Sequence, residues 1–142
     1  MKTMILATAL AGLISGSAAA AMTQAEINDE LRAIPHLYNG LFTAATIKHV
    51  TDTCPAIAPP GRAARTSFFL GLYNRARGLG YTRAQIRAFV EDKGEQDRMR
   101  DLVEQHLRRA GVSDPFSEAE ICAYARNEIS QATALGRQLR ER

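Results

Sequence analysis

Cys54-Pro55-Ala56-Ile57-Ala58-Pro59-Pro60-Gly61 divides the chain and decides how the rest is read. It cannot be helix. Three prolines remove amide donors, and each restrains its predecessor to extended backbone. The stretch reads as an extended connection with Ile57 tucked beneath it. On both sides of it, apolar residues recur with a helical period.

Upstream, Thr23-Gln24-Ala25-Glu26-Ile27 has the form of a capping box, with Met22 placed to staple onto Ile27. Ile27, Leu31 and Ile34 make one stripe of a first helix over 23–33. Pro35 disfavours helix at Ile34. A second helix then runs from His36 or Tyr38 to Thr51, with Leu37, Tyr38, Leu41, Phe42, Ala45 and His49 on one face. Gly40 weakens its middle or lets another helix come close.

Downstream, a third helix over 62–77 presents Phe68, Phe69, Leu72 and Ala76 to the core, and Gly78 and Gly80 end it. Thr82-Arg83-Ala84-Gln85 and Ser117-Glu118-Ala119-Glu120 repeat the capping-box pattern. The first opens a short helix to Asp92 that buries Ile86, Phe89 and Val90. After Lys93-Gly94 a fifth helix runs to Ala110, burying Met99, Leu102, Val103, His106 and Leu107, with Gly111 as its stop. Arg100, Glu104 and Arg108 form its solvated outer face. The last helix is expected from Ser117 to Leu139, with Cys122, Ala125, Ile129, Ala132 and Gly136 along its inner side and a frayed, charged tail over 137–142. No segment shows strand alternation. The expected fold is all-α: a single-domain bundle of five or six short helices, stapled by one disulfide.

The N-terminal segment has a different character. Lys2, an uncharged apolar run over 4–14 and the small residues Ser15 to Ala21 have the layout of a secretory signal peptide, with cleavage after Ala20 or Ala21. The alternative is an N-terminal membrane anchor, but the run is about 11 residues where a span needs about 20. This predicts a domain division into a removed signal peptide, 1–21, and a helical domain, 22–142. The expected location is periplasmic or secreted, as a soluble protein with no integral membrane segment. Removing Lys2 leaves 17 basic residues against 15 acidic ones. That balance gives no argument for nucleic acid. Arginine outnumbers lysine fifteen to three, which genome composition explains as well as function does.

Cys54 and Cys122 are the only cysteines. An even number in an exported chain predicts a disulfide between them, the alternative being two buried free thiols. Their wide separation argues against redox catalysis, which favours Cys-x-x-Cys.

The sequence shows no catalytic residue, cofactor motif or metal site. His36, His49 and His106 lack local ligand spacing. No nucleophile elbow, phosphate loop or haem-attachment motif occurs. The arginines of the third helix, Arg62, Arg65, Arg75 and Arg77, are the candidate anion-binding set. For Arg75 and Arg77 the competing reading is a favourable interaction with the helix C-terminal dipole.

Asn39-Gly40-Leu41-Phe42, Cys54-Pro55, Phe69-Leu70-Gly71-Leu72, Asn74-Arg75-Ala76-Arg77, Leu79-Gly80-Tyr81 and Cys122-Ala123 together resemble a family of small exported bacterial proteins, catalogued as a domain of unknown function. The resemblance implies an envelope or secreted location and paired cysteines, and brings no catalytic residue. The leading expectation is a non-enzymatic periplasmic binding or structural protein. The alternatives are a small envelope hydrolase with a site assembled only in three dimensions, and a binder of anionic envelope polymers through the four arginines. The expected partner is an envelope protein or such a polymer. Narrow apolar faces and short loops imply no obvious substrate cleft.

Overall fold

The computed structural model describes residues 21–142. The expected signal peptide lies almost entirely outside them. Six helices follow in order: α1 (Gln24–Arg32), α2 (Pro35–Thr53), α3 (Arg62–Gly78), α4 (Arg83–Glu91), α5 (Lys93–Arg109) and α6 (Glu118–Ser130). A two-residue strand β1 (Ile57–Ala58) pairs antiparallel with β2 (Arg140–Glu141).

The helix starts follow their local chemistry. At α1, Glu26 N donates to Thr23 Oγ1 (3.3 Å), and Thr23 N donates to Glu26 Oε2 (2.7 Å). At α4, Thr82 and Gln85 complete the same reciprocal pair. The third expected box forms only half: Glu120 N donates to Ser117 Oγ, while the Glu120 carboxylate takes the serine hydroxyl instead of a backbone amide. Asp92 supplies a cap absent from the sequence reading, accepting from Glu95 N at 2.9 Å. It starts α5 at Lys93, with Gly94 inside the first turn.

α2 is the central element and packs against α1, α3, α5, α6 and β1. Two apolar clusters lie along it. One joins Ile27, Leu31, Leu37, Leu72, Ala76 and Phe89. The other surrounds the Cys54–Cys122 disulfide with Val50, Ile57, Val103, Leu107, Ile121 and Ala125. Cys54 caps α2, and its Cα lies 5.3 Å from that of Cys122 in α6. Ile57, fully buried, sits under the proline connection as the sequence requires. Gly40 serves close approach: a Cβ there would stand 2.8 Å from Leu72 Cδ2, so α3 crosses α2 at that point.

The C-terminal region departs from expectation. α6 stops at Ser130, not Leu139. Thr133 N donates to Glu128 O and Ala132 N to Ile129 O, the double bond pattern that closes many helices. Ala132 takes the left-handed position (φ 49°) that Gly80 and Gly111 take after α3 and α5. The chain then folds back through a 3-10 turn, Gly136–Gln138. Leu139 enters the core, and the tail pairs Ile57 with Glu141 and Ala58 with Arg140. Arg142 N adds a bond to Ala56 O at 2.9 Å. The expected frayed tail is therefore a strap across the proline connection. It was illegible because two-residue strands have no alternation to read.

Candidate functional site

The expected stripe of α3 is real, but only half of it meets the core. Leu72 and Ala76 are buried, whereas Phe68 and Phe69 are 42% and 48% exposed. In a helix, Arg65, Phe68, Phe69, Leu72 and Ala76 share a side, spaced three and four apart. The C-terminal half of that side packs at Gly40. The N-terminal half overhangs a groove of about 640 Å³. Pro59 and Pro60, which lead into α3, line its edge.

Leu41, Ala44, Ala45 and Ile47 of α2 line the groove opposite α3, and Phe89, Val90, Gln96 and Met99 contribute from α4 and α5. Val90, expected in the core, is instead 52% exposed at this groove. The cleft is the main departure from the sequence reading, which implied none. The sequence does show Phe68 and Phe69 as apolar residues on one helix side. It does not show that, among the described residues, no helix covers them.

Polar groups punctuate the lining. Lys48 pairs with Asp52 at 2.5 Å on the outer edge of α2. Arg65 has no ion-pair partner among the described residues. Farther along α2 and α5, Tyr38 and the buried Glu95 also line the groove. One Glu95 oxygen is paired with Arg32, and Arg98 Nε stands 3.9 Å from the other. Neither that second oxygen, Oε2, nor the Tyr38 hydroxyl has a hydrogen-bond partner. Burial, and then the neighbouring Glu95 carboxylate, raise the Tyr38 phenol above its ordinary pKa.

The four arginines singled out in the sequence are not gathered at one point. Arg62 and Arg65 stand in the first turns of α3, and Arg75 and Arg77 in its last turn. From Arg65 to Arg75 the rise is about 15 Å. The Arg77 guanidinium donates to Tyr81 O at 2.9 Å and so closes the helix end.

The histidines also stand apart in role. His106 Nε2 lies 2.9 Å from the Tyr124 hydroxyl, and its ring meets Phe42 edge-on at 5.4 Å. His49 meets Phe116 edge-on at 5.9 Å. His36 is exposed. Among the described residues no three His, Cys, Asp or Glu side chains gather as a metal-binding group, and no helix is long and apolar enough to cross a membrane.

Comparison with curated proteins and with solved structures returned no match. A family model does match, over residues 29–140, a range that takes in both cysteines, the proline connection and every groove-lining residue. The chain belongs to that family, DUF5333, a family of unknown function.

Proposed function

We propose that this is an exported, non-enzymatic binding protein that takes a single-chain anionic amphiphile into the groove between α2 and α3. The observation that carries the reading is the overhanging half of α3: Phe68 and Phe69 stand half-exposed over a largely apolar groove that no element among the described residues covers. The groove volume, about 640 Å³, lies within the range of small-molecule sites. Leu41, Ala44 and Ile47 offer an acyl chain apolar side chains along the α2 wall. Arg65, at the edge and free of an ion pair, offers a carboxylate or phosphate head a guanidinium fork. The signal-peptide-like layout of the N-terminal sequence supports the export part of this proposal, and a disulfide in the core agrees with it.

The test compares a long-chain fatty acid with the alcohol of equal chain length, titrated against the folded protein. Saturable binding of the acid is expected, with weaker binding of the alcohol. Ala44→Trp fills the floor and should weaken both ligands at least about tenfold, a change of about 1.4 kcal/mol. Arg65→Glu should weaken the acid and spare the alcohol. Absence of saturable binding, or unchanged affinity in Ala44→Trp with an unchanged melting point, overturns the reading.

A further inference from the structure

The outward side of α3 carries a feature that the groove does not use. Arg62, Thr66, Leu70 and Tyr73 line a shallow depression there, sharing only Arg65 and Phe69 with the groove. Leu70 is 53% exposed and stands beside the half-exposed Phe69. Along its whole length α3 holds four arginines and no acidic residue, in a chain whose totals are nearly balanced. Neither Arg62 nor Arg65 has an ion-pair partner among the described residues.

We infer that α3 docks side-on to an anionic phospholipid surface. The chemistry of α3 fits that occupant. A helix lying in a bilayer interface places large apolar side chains at the boundary of headgroups and acyl chains, and arginines among the phosphates. Phe69, Leu70 and Tyr73 supply the first set, and Arg62 and Arg65 the second. From Arg62 to Tyr73 these side chains extend over about 17 Å of α3. A second copy of the chain is a poor occupant, because pairing α3 with α3 brings their arginines together with no carboxylate on either helix. An acidic protein surface would match the charge, but would leave the exposed Leu70 without an apolar bed unless it carried one.

This inference stands whether or not the groove takes an amphiphile. Its test is flotation of the full mature chain with phosphatidylcholine vesicles, with and without phosphatidylglycerol. Binding should require phosphatidylglycerol and weaken steeply as salt rises. Arg62→Glu and Leu70→Ser alter residues outside the groove lining. Each should lower vesicle binding about tenfold or more at an unchanged melting point. Fatty-acid binding, where the wild type shows it, should be retained in both variants. Equal binding to neutral vesicles overturns the inference, as does no loss in either variant. So does concentration-dependent self-association that Leu70→Ser abolishes.

Discussion

Gly136 lies directly on the backbone of Glu128. A Cβ at Gly136 would stand 1.9 Å from the Glu128 carbonyl oxygen and 2.7 Å from Ile129 N. Gly136 N also donates to Thr133 Oγ1 at 2.9 Å, so the returning chain is held tightly against the end of α6. Backbone cannot yield as a flexible side chain does. Gly136→Ala is expected to cost about 3 kcal/mol, near the upper end of ordinary overpacking. Urea denaturation at fixed pH measures it. A loss below about 1 kcal/mol would show that the fold-back adapts.

Ala132 offers the opposite case. It holds a positive φ that costs a residue with a Cβ roughly 1–2 kcal/mol. Ala132→Gly is expected to raise stability by up to about 1 kcal/mol, because the greater freedom of glycine in the unfolded chain takes back part of the gain. The readout is the same denaturation curve, with unchanged slope.

Removing the disulfide tests the staple. The cysteines are 68 positions apart, and chain-entropy reasoning gives about 4 kcal/mol for closing such a loop. Cys54→Ala with Cys122→Ala is expected to lose up to that amount, out of a total that for such a domain is about 5–15 kcal/mol. The native, unreduced protein should show no reactive thiol. Labelling of two thiols in the folded state would sink this account.

Alkaline pH probes the burial of Tyr124. Burial, and then the Glu128 charge, raise the Tyr124 phenol well above its ordinary value near 10. A raised folded-state pKa means that the folded chain holds its proton more tightly than the unfolded chain does. Its stabilising contribution is therefore complete below about pH 10 and declines as pH rises toward the folded value. Tyr38 and Tyr81 shift in the same direction. Melting midpoints from pH 8 to 12 should fall in the wild type and fall less in Tyr124→Phe. That variant should start about 1 kcal/mol lower at neutral pH, having left His106 Nε2 without its partner. Parallel curves for the two proteins would remove Tyr124 from the alkaline transition.

What could be read in the sequence divides along the range of the forces involved. Caps at Thr23 and Thr82 need only neighbours three residues away, and both helix starts were legible. The cysteine pairing followed from their being the only two. The end of α6 is set by tertiary contacts: Gly136 on Glu128, Leu139 in the core, the tail on β1. Nothing local marks a stop at Ala132, so the helix read too long. The groove was hidden for a related reason. Phe68, Phe69 and Val90 carry a core-like pattern, but a pattern shows which side a residue faces, not whether anything stands opposite.

The crossing of α3 over α2 at Gly40 has a mechanical consequence. One wall of the groove, α2, is gripped by four other helices and by the cross-link at its end. The other wall is a beam clamped at Leu72 and tethered at its far end by two prolines, with residues 61–71 exposed. Load on such a beam bends the free half and leaves the clamp in place. On the binding reading proposed above, girth in the groove is accommodated by the first turns of α3 and not by α2.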